Sequence, residues 1–509
     1  MIRLFFFLFL FLSLNSAAQT LKTDRVYFNY LLQNDSISFQ DFNLRGFDLN
    51  ISRLESQVFS KNNNPHQVLK VAPIVNLNGG NTNYQAGLGA SLTLNTQKWK
   101  GFVAPSFNSL QLSWLDDSLT RSTEIIPSLG WAGLSTTSKN IVNIQLPWAI
   151  QYTPSKYFNF MVGNGNQFIG PGKSSIQLTD VSRNHLFGAI TTQAWKLRYT
   201  NLFSGYSQTK KQQPLFGLPN KFTTSHILEF IPNDKLSIGF FETVVWKNRD
   251  TLIDRGFDVN YLNPIIFYRP VEYSTGSSDN VLLGLNFSYT PNYKLNFYGQ
   301  FLLDEFFFKY VRADIIHFID PNRPTEEPPG WWANKHAGQI GAQWKSPFGF
   351  NKFLIQSEYN YARPYTYTHL GELENYGSGN LPLAHPLGAN FTEWFNAISL
   401  VDGLWYFEVF SEFSSQGLDY WSNENFGANI FDSYLTREME FGNYMLQGKE
   451  SNMVKIGFVA NYLIIPETNI SATFRFTHLK QNLPGGKNLN LNLFNIGIRS
   501  NLFNDYRDI

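Results

Sequence analysis

The feature that most constrains this chain is the rhythm of its connections. From residue 68 to 503 it reads as strands of about ten residues, the length that crosses a bilayer when tilted. Short turns rich in Pro, Asn, Asp and Gly alternate with long loops. The turns fall at 153–156 (TPSK), 231–235 (IPNDK), 290–294 (TPNYK), 346–352 (SPFGFNK), 400–403 (LVDG) and 465–469 (IPETN). Two less obvious ones fall near 95–101 and 191–194. Between them lie loops near 207–221, 248–279, 310–334, 364–390 and 417–450. Outer-membrane barrels have short periplasmic turns and long extracellular loops; a soluble sandwich has no reason to keep that alternation. Eight short-turn hairpins, a first strand near 68–78 and a last near 489–503 make 18 strands, with both ends of the barrel on the periplasmic side. The 185–206 region leaves the count open by two.

The strands alternate as such a wall requires. In 281–289 one face carries Val281, Leu283, Leu285, Phe287 and Tyr289, the other Leu282, Gly284, Asn286 and Ser288. The next strand sets Leu295, Phe297, Gly299, Phe301 and Leu303 against Asn296, Tyr298, Gln300, Leu302 and Asp304. Period two with one polar face is the barrel pattern. Aromatics make up 17% of the chain, with 47 Phe and 25 Tyr. Girdles at two water–lipid boundaries use such an excess, although an aromatic-rich soluble β protein has the same composition.

The N-terminus reads as an export signal. A cationic Met1-Ile2-Arg3 precedes an apolar run at 4–14, and Ser16-Ala17-Ala18 offers small residues for cleavage before Gln19. The expected division is a signal peptide at 1–18, a periplasmic or plugging segment at 19–67 with a helix near 49–59, and an outer-membrane β-barrel at 68–509. No later stretch has 18 apolar residues, so a membrane-embedded chain must cross with strands. The expected fold is all-β, a transmembrane outer-membrane barrel of about 18 antiparallel strands with loop or helical plug elements, located in the cell outer membrane.

Lys plus Arg total 40 against 39 Asp plus Glu, and Arg3 is the only charge in the first 20 residues. The balance leaves no basic field for nucleic acid. With no cysteine, disulfides, thiolate metal sites and a lipoprotein anchor are excluded. The eight histidines form no His-x-x-x-His or HExxH spacing, and no G-x-S-x-G elbow occurs. No metal, cofactor or catalytic residue is therefore expected, and the chain reads as a non-enzyme.

The glycine-rich stretch 163–175 carries the most suggestive local chemistry. Gly170-Pro171-Gly172-Lys173-Ser174 looks like a phosphate-cradling loop, but Gln167 stands where the P-loop needs its first glycine. Two readings stay open: a flexible loop, or a loop folded into the barrel mouth against a ligand. Asp304, Glu358, Glu408, Glu412, Lys196, Arg198, Lys455, Arg475 and Arg499 are assigned to the lumen, where opposite charges pair and fill space. Asp304 and Glu305, adjacent in a strand, should point to opposite faces. In the loops, Trp331 and Trp332 follow a proline-stiffened segment, and 364–390 carries Tyr365, Tyr367 and Tyr376. Exposed aromatics of this kind grip sugars or sit at the headgroup level. The 109–140 stretch is too long for a plain loop and is expected to fold into the lumen or above it.

Several segments together resemble the Wzi capsule-assembly family. They are GNGNQFIGPGKSSIQLTD (163–180), YLNPIIFYRPVEYSTGSSDNVLLGLNFSY (261–289), YGQFLLDEF (298–306), GWWANKHAGQIGAQW (330–344) and LAHPLGANFTEW (383–394). The combination is most similar to the gliding-motility branch typified by RemB. The resemblance implies a plugged 18-stranded outer-membrane barrel whose outer elements hold capsular polysaccharide. Its implied partners are outer-membrane lipid, surface or capsular polysaccharide and, in the gliding branch, gliding or secretion machinery. It marks Gly170, Pro171, Gly172, Asn263, Pro264, Arg269, Glu272, Asp279, Asn280, Asp304 and Glu305 as fold-defining or ligand-proximal. With Trp331 and Trp332, the ligand-binding candidates are Gly170, Pro171, Gly172, Arg269, Glu272, Asp279 and Asp304. A solute-diffusion channel is the alternative, and an outer-membrane hydrolase a third class without a recognisable constellation.

Overall fold

The computed structural model describes residues 69–500 except 114–116, 118–119, 122–123, 128, 134–139, 208–218, 250–255, 264–278, 351, 422 and 487, together with residues 29, 32, 44 and 45. The expected signal peptide and the helix near 49–59 lie outside the described residues. The first strands are β1 (Leu69–Gly80), β2 (Tyr84–Asn95), β3 (Trp99–Val103 continued by Ser106–Gln111), β4 (Ile141–Gln145 continued by Trp148–Ser155) and β5 (Phe158–Gly165). Next come β6 (His185–Ala194), β7 (Leu197–Tyr206), β8 (Lys221–Asn233), β9 (Leu236–Lys247), β10 (Asn280–Asn292) and β11 (Leu295–Leu303). The last are β12 (His336–Lys345), β13 (Phe353–Ala362), β14 (Phe391–Asp402), β15 (Trp405–Leu418), β16 (Lys449–Ile465), β17 (Ile470–Asn482) and β18 (Asn488–Ser500).

These 18 strands form one closed antiparallel barrel. Each pairs with its sequence neighbours, and β1 pairs with β18 from Asn76↔Arg499 to Gly80↔Asn495. Closure leaves no unpaired edge, the condition for a sheet in hydrocarbon. Pro105 and Pro147 interrupt β3 and β4. Neither proline can donate to the ladder, and both carbonyls still accept, from Ala90 N (3.2 Å) and Ala104 N (2.9 Å).

All eight expected short turns are present, the one expected near 191–194 falling at 195–196. IPNDK and TPNYK close in the same way, with the Asn233 and Asn292 side-chain oxygens each accepting the amide N–H two residues on, both at 2.9 Å. Gly403 (φ 61°) and Asn469 (φ 58°) supply left-handed backbone in two others. On the opposite face lie the long connections 304–335, 363–390 and 419–448, most of the expected loops 207–221 and 248–279 falling outside the described residues. Beside the closure seam the connections 81–83 and 483–487 are short, because Asn81 is hydrogen-bonded to Asn492 O (2.6 Å) and Phe494 O (3.3 Å) on β18. By the short-turn rule the long-loop face is extracellular.

The alternation settles which side chains meet lipid. Leu285, Phe287 and Tyr289 on β10, and Phe297 and Phe301 on β11, are exposed on the outside, while Ser288, Asn296, Tyr298 and Gln300 are buried within. Near the short turns, outward aromatics pair as Trp99–Tyr152 (4.4 Å), Trp405–Tyr462 (4.7 Å) and Trp344–Phe348 (4.7 Å), a girdle at the periplasmic boundary. The lumen is not polar throughout. Phe187, Leu202, Ile227 and Phe241 of the wall pack with Ile169, Ile176 and Leu178 of the 166–184 loop and with Tyr367, Tyr376 and Leu383 of the 363–390 loop. A filled barrel needs an apolar core like any other, so part of the inner face departs from the expected alternation.

Leu285 lies near the middle of β10. Leu285→Arg should destabilise the barrel by about 2–4 kcal/mol, read from denaturant unfolding in vesicles; an unchanged midpoint would mean that this face does not meet lipid.

Candidate functional site

The glycine-rich loop is folded into the barrel. It leaves the wall after β5 and returns at β6, and its ends are tied where Asn166 Nδ2 donates to Asp180 O (3.2 Å) and Ser182 O (2.9 Å). Two-residue pairing of Phe168–Ile169 with Leu44–Arg45 places part of the N-terminal segment in the lumen. Arg45 lies over the Phe168 ring (3.7 Å) and donates to Gly172 O (2.9 Å). Wall amides grip the loop from the other side. Gln300 donates to Ile169 O (2.9 Å) and accepts from Ile176 N and the Ser175 hydroxyl, both at 3.0 Å. Gln343 donates to Pro171 O (3.1 Å), and Gln339 to Ser174 O (2.8 Å).

The phosphate-like turn holds an internal carboxylate. Glu358 of β13 accepts from Lys173 N (2.9 Å) on one oxygen and from Ser174 N (3.1 Å) on the other. The Tyr298 hydroxyl (2.7 Å) and Asn360 Nδ2 (3.0 Å) complete its shell. A Cβ on Gly172 would lie 2.3 Å from Glu358 Oε2, so only glycine admits this approach. Consecutive backbone amides that would cradle an anion are thus already occupied by the protein's own anion.

The loop's lysine joins a second set of charges. Lys173 Nζ reaches Glu412 (2.5 Å) and Glu393 (3.7 Å), Lys455 pairs with Glu412 (3.1 Å), and His385 with Glu393 (3.0 Å). Asn360 Nδ2 also donates to Glu393 (2.9 Å). Glu358, Glu412 and Lys455 were expected in the lumen; Glu393, Lys173 and His385 were not. Strand parity in FTEWF was the available signal for Glu393, since Phe391, Glu393 and Phe395 share the buried face. Elsewhere Arg198 forms a two-pronged pair with Glu229 (2.6 and 2.8 Å), and Glu408 accepts from the Tyr406 hydroxyl (2.7 Å). Lys196 is the exception: it sits in the exposed turn between β6 and β7, not in the lumen.

At the extracellular end the Asp304–Glu305 expectation fails. The chain leaves β11 at Leu303, so parity no longer separates the two, and both face the buried Lys335 ammonium at 4.0 and 3.5 Å. Lys335 also donates to Thr368 O (3.1 Å) and lies against the rings of Tyr434 (4.7 Å) and Trp332 (5.2 Å). Burial pushes the Asp304 carboxyl up to about 6 against the pull of Lys335. Glu374 in the same cap goes the other way. Burial opposes its charge, but the nearby His369 ring (3.9 Å) and the Lys247 ammonium (2.9 Å) prevail and hold it down to about 2.

The aromatic candidates are packed inward. Trp332 is buried between Tyr434 (4.7 Å) and Arg437 (4.5 Å), and Trp331 is half-buried against Tyr310 (4.5 Å). Both indole N–H groups donate to Glu440, which removes their freedom to grip a ligand edge. Tyr365, Tyr367 and Tyr376 are fully buried, because their loop forms the inner cap. Asp279 is buried and accepts from the Tyr261 hydroxyl (2.5 Å), while Arg269 and Glu272 lie outside the described residues, as does Pro264. Gly170 (φ 112°), Pro171 and Gly172 lie within the lumen against β11–β13. The aromatics that do face solvent on this end include Tyr420 (44%), Trp421 (61%) and Tyr444 (63%) in the 419–448 loop. Sequence reasoning missed them; the DYWSNEN stretch was the signal for Tyr420 and Trp421.

No protein-family model matches the chain, and no curated protein sequence matches it. Its fold is similar to that of Escherichia coli Wzi, described as an outer-membrane protein involved in group 1 capsule assembly and a carbohydrate-binding β-barrel. The two share 11% identity at a TM-score of 0.55, over 94% of this chain and 99% of that one. Pseudomonas aeruginosa OprD gives 10% identity at a TM-score of 0.43 over 85% and 94%. Acinetobacter baumannii OccAB2 gives 8% at 0.45 over 84% and 96%. At these identities the likeness is one of fold. The chain is an outer-membrane β-barrel.

Glu358→Ala strands two buried backbone donors, at about 1–3 kcal/mol each, and releases the loop at Gly172. The variant barrel should pass more ionic current in planar bilayers than the parent, and equal currents would show that the carboxylate does not hold the plug. For Asp304 the folded value lies above the unfolded one. Its contribution is therefore complete below the ordinary carboxylate range and is lost as pH rises through about 6. Unfolding midpoints should fall between about pH 4 and pH 6.5 by more in the parent than in Asp304→Asn.

Proposed function

We propose that this protein is a non-enzymatic outer-membrane barrel, shut by its own loops, that organises or anchors surface polysaccharide. The observation that carries the reading is the pairing of a filled lumen with outward-facing aromatics. Tyr420 and Trp421 stand edge to face (4.4 Å) in an extracellular loop, exposed where a sugar C–H face would meet them. Below them, Glu358, Gln300, Gln339 and Gln343 bind the 166–184 loop across the bore. Side chains so engaged favour a stopper over a solute path. The fold likeness to the capsule-assembly barrel supports the same reading. The sequence resemblance to the gliding branch extends it to motility, through polysaccharide or adhesin handling beside the gliding or secretion machinery.

Two measurements test it together. A deletion strain should shed more surface polysaccharide into the medium than its parent with synthesis unchanged, and the Tyr420→Ala/Trp421→Ala double variant should restore retention only in part. The purified parent barrel should show little ohmic current in planar bilayers. Unchanged retention with steady conductance would replace the anchoring role with that of a diffusion channel.

A further inference from the structure

Helix α1 (Phe308–Ile319) opens the loop between β11 and β12, and its two faces differ sharply. The inner face is built into the cap. Tyr310 stacks near Trp331 (4.5 Å) and Phe441 (5.7 Å), and Ala313 is buried. Asp314 accepts from Gly330 N (2.6 Å), Asn334 Nδ2 (2.7 Å) and Arg363 Nη1 (2.9 Å). The opposite face presents Phe308 (77% exposed), Ile315 (54%), Phe318 (88%) and Ile319 (76%), with Phe307 (60%) at the N-cap. Positions 308, 315 and 319 fall on one side at a helical repeat. Large apolar side chains this exposed on one short helix mark a contact surface.

The anchor tells where that surface lies. On β12 and β13 the lipid-facing positions include Ile340 and Tyr359, and His336 and Tyr361 share their parity; Gln339 and Asn360 point inward. Arg363 N donates to His336 O (3.0 Å), which carries the β12–β13 ladder one pair past Ala337↔Ala362 and sets Arg363 on the same outward side as His336. Asp314 binds Arg363, which ties α1 to that rim of the barrel. Beneath it, His336 lies 5.9 Å from Phe301 and 5.7 Å from Tyr361, rings at the upper border of the lipid-facing band. The helix also carries the exposed Lys309 and Arg312, Arg312 on the same side as Phe308 and Ile315 and Lys309 paired to Glu327 (2.7 Å).

We propose that α1 is an interfacial helix that lays Phe308, Ile315, Phe318 and Ile319 into the outer leaflet beside the barrel. Its occupant is the lipid surface itself, apolar at chain level and anionic at the phosphates. Continuity with the lipid-facing wall supplies the first match and the exposed cations Lys309 and Arg312 the second. The helix thereby ties the extracellular cap, through Asp314, to the membrane plane.

The absence of cysteine permits a direct test. Ile315→Cys, Phe318→Cys and the opposite-face control His317→Cys each carry a polarity-sensitive fluorophore. The full-length barrel is inserted in vesicles of phosphatidylethanolamine and phosphatidylglycerol containing doxyl-labelled lipid. Heat-modifiable gel mobility verifies folding, and each substitution falls on an exposed side chain outside the Asp314 anchor. Probes at 315 and 318 should emit to the blue, be quenched by the doxyl lipid, and meet aqueous iodide at least about threefold less readily than the probe at 317. Iodide access equal to that at 317, without lipid quenching, overturns the proposal. Shielding from iodide without lipid quenching overturns it equally, since only a second copy could then cover the face.

Discussion

In hydrocarbon a backbone N–H or C=O without a partner costs several kcal/mol, and the rest of this molecule follows from meeting that demand. The β1–β18 pairing from Asn76↔Arg499 to Gly80↔Asn495 closes the sheet. Closure fixes the parity of each strand, and parity sends Leu285, Phe287, Phe297 and Phe301 to lipid while turning Tyr298, Gln300, Glu358 and Asn360 inward. A bore of 18 strands is wide enough to hold aqueous space. In this chain the 166–184 and 363–390 loops fill it.

The filling is held by specific partners. Glu358 would be costly as an isolated charge in the lumen. Two backbone amides, a tyrosine hydroxyl and an asparagine amide satisfy its oxygens, and in return it fixes the turn at Gly172 and Lys173. Lys173 then carries the contact across to Glu412 and Glu393, so the wall from β11 to β16 is bridged through one loop. The apolar half of the lumen, with Phe187, Ile227, Phe241, Tyr367 and Tyr376, supplies the packing that polar contacts alone would not.

Above this plug the cap is organised around Lys335 and Trp332. The ammonium is taken between two carboxylates and two rings, and the indole between Tyr434 and Arg437. Aromatic residues that look like a ligand surface in the sequence are consumed by this assembly. The loop positions left facing water, Tyr420 and Trp421 among them, lie in a segment with no repeating pattern to announce exposure.

Sequence by itself determined the wall. Turn chemistry such as Pro-Asn-x-Lys and strict period-two alternation are local properties, and together they specified strand number, strand direction and the lipid-facing set. They also placed Glu358, Glu412 and Lys455 inside, because a charge on the lipid face is excluded energetically. What the loops do was decided only by the tertiary structure. Whether Gly170-Pro171-Gly172 takes a phosphate or a carboxylate depends on Glu358, 185 residues beyond Lys173. Asp304 and Glu305 converge on Lys335 because the strand ends one residue earlier, and Trp332 is buried because residues near 434 and 437 fold over it. Alternation is written into adjacent residues, whereas a plug is made of contacts between segments far apart in the chain, and no local spacing records them.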